Sequence, residues 1–109
     1  MGLSEKTCVP CRGGISPLTE EEAHGYLAET PGWTLAEGAT GIERKFRFKD
    51  FASAMEFVRK VGLLAEREGH HPDIAFGWGY CAVSFHTHKI HGLHENDFIM
   101  AAKVDALTE

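Results

Sequence analysis

A helical repeat of apolar residues in the middle of the chain constrains the fold more than any other sequence feature. Between positions 51 and 65, apolar side chains recur at spacings of three and four, which is typical of an amphipathic helix. Asp50 is a suitable N-cap for this helix, and Gly69 ends the pattern. The spacing predicts one long helix whose buried face includes Phe51, Met55 and Phe57.

Segments with a period of two lie on both sides of this helix. Over 42–48, apolar residues such as Ile42 and Phe46 alternate with charged ones, which is typical of a half-buried antiparallel strand. Residues 80–88 alternate in the same way, and 33–36 and 74–76 predict two shorter strands. Thr19 predicts the start of a first helix, and 95–107 predicts a last one. The sequence therefore predicts an α+β fold, a four-stranded antiparallel sheet with helices packed on one face, in the order α-β-β-α-β-β-α.

The first 17 residues show no periodicity and contain two of the three cysteines, Cys8 and Cys11. We therefore expect a flexible N-terminal tail over 1–17 and a single domain over 18–109. The Cys8-x-x-Cys11 spacing is half of a zinc knuckle, and a structural zinc site needs four ligands. Cys81 or a histidine could complete such a site; otherwise the tail carries two reduced thiols.

Charge and composition exclude several classes of partner. The chain has 11 Lys and Arg against 16 Asp and Glu, a formal net charge of −5, which argues against nucleic acid as the main partner. No stretch approaches the roughly 20 apolar residues of a membrane span. An odd number of cysteines, too few for a disulfide framework, favours a reducing cytoplasm.

Histidine is the residue in clearest excess, with seven in all and six of them between positions 70 and 94. His70 and His71 follow the long helix and precede Pro72, and His88 lies at the end of a predicted strand. A helix end and a strand end can meet at one rim of a two-layer domain, which would bring three imidazoles into one pocket. Glu66, one turn before His70, could orient an imidazole. Histidine exchanges protons near neutral pH, so the pattern predicts acid–base chemistry.

A metal site is the alternative reading of the same residues. His86 and His88 are two apart on a predicted strand, so both side chains would point the same way, a suitable spacing for zinc or another transition metal. His70 or His71 could supply a third ligand. Trp33 could stack on a flat ligand or pack in the core, and for Trp78 packing is the favoured interpretation.

Five short motifs resemble, in order and spacing, those of the pterin-4a-carbinolamine dehydratases, also called 4a-hydroxytetrahydrobiopterin dehydratases. Residues 66–73 resemble the E-x-x-x-H-H-P signature, and Thr87-His88 falls at the position of the family's Thr-His. The resemblance covers about residues 18–106. Its remaining motifs are Leu18-Thr19, Pro31-Gly32-Trp33, and Gly92-Leu93 followed by Glu95-x-Asp97.

The resemblance implies a small α+β protein that forms homodimers or homotetramers and uses neither metal nor organic cofactor. It implies a lyase that removes water from 4a-hydroxytetrahydrobiopterin to give the quinonoid dihydropterin. The implied catalytic residues are His70, His71 and His88, and the implied substrate-binding or supporting residues are Glu66, Trp33 and Asp97. Two departures stand out: His86 replaces a Ser or Thr, and His94 replaces the Ser or Thr at the cap of the last helix, where we expect weaker capping.

The chemistry of dehydration suits these residues. A carbinolamine loses water when one proton reaches the leaving hydroxyl and another leaves N5, and histidines can do both. Our hypothesis is that two of the three histidines act as acid and base while the third orients the ring, with the assignment open. Two alternatives remain at this point: a histidine-rich metal-binding protein, and a non-catalytic module of the same fold that binds pterin or a protein.

Overall fold

In the computed structural model, which describes residues 2–9 and 15–108, three α-helices pack on one face of a four-stranded antiparallel sheet. The predicted α+β fold and the order of its elements are confirmed. The helices are α1 (Glu20–Leu27), α2 (Phe51–Glu68) and α3 (Glu95–Ala106). The strands are β1 (Thr34–Leu35), β2 (Ile42–Arg47), β3 (Asp73–Gly77) and β4 (Tyr80–Phe85).

The sheet has the strand order β1-β2-β4-β3, so β4 lies between β2 and β3. In β2 the period-two pattern buries Ile42 and Phe46 and leaves Glu43 and Lys45 exposed. The helices cover this apolar face and enclose the core between themselves and the sheet. No α-helix in the described ranges combines the length and apolar character needed to cross a bilayer.

The long helix α2 begins and ends where the sequence predicts. The carboxylate of Asp50 accepts the Ser53 N–H at 2.8 Å, and Gly69 ends the helix in the left-handed conformation, with a φ of 70°. The predicted core position is confirmed for Phe57 but wrong for Phe51 and Met55, which are 44% and 51% exposed. At 3.6 residues per turn, Met55 lies about 120° around the helix from buried Val61, outside the face that meets the sheet.

Strand β4 ends at Phe85. The alternation of residues had predicted that it would continue to His88, and that prediction is wrong. Thr87 instead forms an isolated antiparallel bridge with Gly92, and a 3-10 turn covers His88–Ile90. Two backbone hydrogen bonds, Thr87 N–H to Gly92 O at 2.8 Å and the reverse at 3.5 Å, close this loop. His88 therefore lies on a tight loop beyond the sheet, so the alternation along the strand does not determine the direction of its side chain.

The N-terminal segment makes defined contacts that the sequence analysis did not anticipate. Over residues 2–9 the chain lies along α3, with Leu3 buried in the core and the Lys103 ammonium donating to the Ser4 carbonyl at 2.9 Å. Cys8, at the end of this segment, is half-buried, whereas Cys11 lies outside the described residues. Of the two cysteines of the predicted zinc knuckle, the structure therefore describes only Cys8.

Candidate active site

A cavity of about 480 Å³ lies where the end of α2, the start of β3 and the loop after β4 meet. It contains His70, His71 and His88 together with His86, the imidazoles that sequence analysis singled out. Its other lining residues are Val9, Gly69, Pro72, Asp73, Thr87 and Lys89. The helix end and the strand end therefore meet at one rim of the domain and share one cavity.

The side chain of His70 is held in place by a short contact with Asp97. Its Nε2 lies 2.6 Å from Oδ1 of Asp97, and the His70 side chain is 11% exposed whereas Asp97 is fully buried. The other carboxylate oxygen accepts the Thr87 hydroxyl at 2.8 Å and the His94 N–H at 2.9 Å. In the arrangement in which the Asp97 carboxylate accepts from all three partners, Nε2 of His70 carries the proton that points to Oδ1.

The other two histidines have different partners. His71 Nε2 lies 2.5 Å from Oε2 of Glu66, and both side chains are largely exposed. His88 Nδ1 lies 3.0 Å from Nε2 of His86, with the two rings edge to face and their centroids 4.0 Å apart. The remaining nitrogen of His86 lies 4.0 Å from the Asp73 carboxylate. His70, His71 and His88 are therefore each oriented through one nitrogen, which leaves the second nitrogen of each ring for a ligand.

The geometry does not support the metal site predicted from His86, His88 and His70. Over residues 2–9 and 15–108, no three histidine, cysteine or carboxylate side chains are grouped closely enough to hold a metal ion. Nε2 of His70 points to Asp97, and His86 and His88 face each other. The residues present therefore do not assemble the proposed ligand set.

Trp33 lies in the core and not among the residues that line the cavity. Its indole N–H donates to Oδ1 of Asp105 at 3.0 Å, and the same oxygen accepts from Nη1 of Arg44 at 2.8 Å. The ring packs 5.8 Å from Phe85, which also stacks on His70 at 6.1 Å. Phe85 therefore lies between Trp33 and His70, and Trp33 does not line the cavity.

Gly32 and Trp78 illustrate how the two tryptophan motifs differ. A Cβ at Gly32 would lie 2.6 Å from the Arg44 guanidinium, so the glycine leaves room for Arg44 to reach Asp105. Trp78, by contrast, is 72% exposed at the turn between β3 and β4. Of the two, only Trp33 is built into the core beneath the cavity.

The structure also contains a larger cavity, of about 790 Å³, between β2, α2 and the end of α3. Its lining combines cations with aromatic rings and includes no histidine. The cations Arg44 and Lys45 are turned to partners of their own, Asp105 for the first and the Tyr80 ring for the second. The smaller cavity is the better candidate site because it alone of the two is lined by histidines, which exchange protons near neutral pH.

Comparison with known proteins identifies the family of the chain. A family profile described as Pterin 4 alpha carbinolamine dehydratase matches residues 16–107. The chain belongs to the pterin-4a-carbinolamine dehydratase family. A protein of Methylococcus capsulatus, provisionally named as such a dehydratase, is 63% identical over 96% of this chain and 92% of its own length. A provisionally named relative from Cupriavidus pinatubonensis is 60% identical over 96% and 90% of the two chains.

Solved structures show the same dehydratase fold. A protein from Brucella melitensis described as a transcriptional coactivator/pterin dehydratase matches 86% of this chain and all of its own, with a TM-score of 0.80 and 35% identity. A second, described as a pterin dehydratase-like protein and a RuBisCO assembly factor in the α-carboxysome, matches 72% of this chain and 94% of its own. Its TM-score is 0.62 and its identity 26%.

Sequence reasoning missed three residues that the structure brings to the candidate site. Thr87 donates to Asp97, Val9 lines the cavity, and Asn96 binds the backbone of Val9. The Thr87-His88 pair had pointed to Thr87 only as part of a motif. Nothing in the sequence pattern connects Val9 with position 96, because the contact joins two segments far apart along the chain.

Proposed function

We propose that this protein is a 4a-hydroxytetrahydrobiopterin dehydratase that removes water from the 4a-hydroxy adduct by histidine acid–base catalysis, without metal. The observation that carries the proposal is the cavity shared by His70, His71 and His88, each with its own hydrogen-bond partner. Membership in the dehydratase family supports the substrate class. The reaction breaks the C4a–O bond, removes the N5 proton and forms the C4a–N5 double bond as water leaves.

The partners of the three histidines suggest their roles. Oε2 of Glu66 holds Nε2 of His71 at 2.5 Å and so fixes the direction of the ring, and we assign His71 as the acid that protonates the leaving hydroxyl. His88 is paired with another imidazole, and when it donates through Nδ1 to His86, its Nε2 is left to accept the N5 proton. His70, nearly buried and fixed by Asp97, would orient the ring.

The decay of the 4a-carbinolamine absorbance, followed with and without chelator-treated protein, tests this proposal. Acid–base assistance of about 10²- to 10⁴-fold is the expected acceleration over the spontaneous rate. A rate that the protein leaves unchanged would overturn the proposal. His24, exposed on α1 and remote from the cavity, offers a matched control: His24→Ala should retain the full rate.

A non-catalytic binding module is the second candidate function. It is favoured by the structural neighbour described as a RuBisCO assembly factor, which has the same fold. Binding of a pterin product analogue at wild-type strength, with no acceleration of the carbinolamine decay, would support this candidate.

We also propose that the protein acts as a homo-oligomer in the cytoplasm. Phe51, Met55 and Leu63 on α2 and Trp78 after β3 are large apolar side chains between 44% and 72% exposed. Contact with a second copy would remove this apolar surface from water. Light scattering coupled to size-exclusion chromatography tests the proposal, and a monomer at micromolar concentration would contradict it.

A further inference from the structure

The N-terminal segment reaches the cavity that holds the histidines. Residues 2–9 run along α3, and the last of them, Val9, lines the same cavity as His70, His71 and His88. Val9 is 55% exposed, so more than half of its surface is open to solvent or to a bound ligand. Val9 thus adds an aliphatic side chain to a cavity lined mainly by histidines and other polar residues.

A buried amide fixes the backbone of Val9. Oδ1 of Asn96 accepts the Val9 N–H at 3.0 Å, and Nδ2 of Asn96 donates to the Val9 carbonyl at 2.7 Å. Asn96 is 1% exposed, and an amide left unpaired in the protein interior is destabilising. Release of the segment is therefore unfavourable, and Val9 is held in one place.

A second anchor lies one residue earlier. The Cys8 N–H donates to Oε1 of Glu68 at 3.0 Å, at the end of α2. Glu68 is two residues before His70, and Asn96 directly precedes Asp97, the partner of His70. The segment is thus tied to the same two helix ends that position His70, so its place relative to the imidazoles is set by the fold.

We propose that Val9 determines substrate affinity, by packing its isopropyl group against the face of the flat heterocycle bound among the histidines. This inference rests on the proposed function and adds to it a wall supplied from outside the segment that carries the family motifs. A flat heterocycle has polar edges and apolar faces, so histidines at its edge and an aliphatic side chain on its face are complementary. Val9 carries no group that exchanges protons, so it acts on binding and not on the chemical step.

Val9→Ala and Val9→Thr, assayed for dehydration and for pterin binding, test the inference. Removing two methyl groups should raise KM, and the Kd of a dihydropterin measured by fluorescence, by up to about tenfold, with kcat within about twofold. Val9→Thr, which keeps the shape but places a hydroxyl against the ring, should weaken binding in the same direction. Ile15→Ala, at another exposed aliphatic residue that does not line the cavity, should change neither quantity.

The two measurements separate this inference from the proposed function. If the wild type dehydrates its substrate and both Val9 variants keep its KM and Kd, the inference is wrong while the function stands. If the wild type binds dihydropterin without turnover and the Kd still depends on Val9, the inference holds and the dehydratase function fails. If the wild type neither binds nor turns over the pterin, both are overturned.

Discussion

Nε2 of His70 lies 2.6 Å from Oδ1 of the buried Asp97, which joins the loop after α2 to the first turn of α3. Asp97→Asn keeps the size of the side chain but places an amide that donates through Nδ2. With its oxygen still accepting from Thr87 and His94, the amide would face His70 with a donor, so His70 would have to move its proton to Nδ1.

We expect Asp97→Asn to lower kcat/KM by about 10² and the free energy of unfolding by about 3 kcal/mol. The decay assay and urea denaturation measure the two effects. Glu21→Gln, which removes an exposed carboxylate from α1, is the matched control and should leave both quantities unchanged. Wild-type activity in Asp97→Asn would contradict the orienting role of His70.

The two exposed imidazoles should account for most of the rate. We expect His71→Ala and His88→Ala each to lower kcat by at least about 10², because each removes a group that we assign to proton transfer. Because both side chains border solvent, added imidazole should restore part of the rate. A loss below threefold in both variants would show that neither imidazole transfers a proton in the rate-limiting step.

His86 should act through His88. Replacing His86 with Ala removes the hydrogen bond to Nδ1 of His88, a loss of about 1 kcal/mol that corresponds to about a fivefold lower kcat. His86→Gln, whose amide can still reach His88, should restore most of the rate. The pH profile of kcat distinguishes this role from simple packing. Loss of a hydrogen-bond partner of His88 would shift the pH at which kcat rises or falls, whereas loss of packing alone would not.

Cys8 should resist alkylation in the folded protein. Burial, followed by the negative charge of Glu68, raises the pKa of the Cys8 thiol to about 11. Because the thiolate is the reactive form, iodoacetamide should react at pH 8 about 10² times more slowly than after unfolding in urea, where a free thiol has a pKa of about 8.5. A Cys11→Ser, Cys81→Ala variant isolates the reaction at Cys8, and equal rates in the two states would contradict the prediction.

The N-cap of α2 should make stability depend on pH. Hydrogen bonds from Ser53 lower the pKa of the Asp50 carboxyl, so its contribution is present above the unfolded pKa of about 3.9 and is lost as pH falls through the folded-state value. The difference in Tm between the wild type and Asp50→Ala should therefore be constant from about pH 5 to 7 and shrink below about pH 4. Asp50→Ser carries an uncharged cap, so the difference in Tm between Asp50→Ser and Asp50→Ala should not shrink below about pH 4.

Local patterns predicted the parts of the fold whose causes are local. The cap at Asp50, the left-handed Gly69 and the alternation in β2 each depend on residues close together in the chain, and each appears in the structure. At His94 we expected weaker capping, but the structure has a side-chain cap there. Nδ1 of His94 accepts the Asn96 N–H at 3.0 Å, so an imidazole takes the place of the usual hydroxyl.

The features that sequence reasoning missed depend on where separate elements meet. Phe51 and Met55 fit a helical stripe, but the sheet covers only part of it, so both are exposed. The end of β4 is set by the bridge between Thr87 and Gly92, which alternation cannot reveal. The contact between Val9 and Asn96 joins positions 87 residues apart, and no periodicity carries that information.

The three bonds accepted by Asp97 have a consequence for how descendants of this protein can diverge. A descendant that no longer catalyses a reaction has no use for imidazoles at positions 71 and 88. It still needs a hydrogen-bond acceptor at position 97, because that side chain holds the start of α3 to Thr87 and His94. We therefore expect an aspartate there to survive in genes whose products have taken up other work. In a survey of such genes, histidines at positions 71 and 88 should therefore indicate that the ancestral activity is retained, whereas an aspartate at position 97 should not.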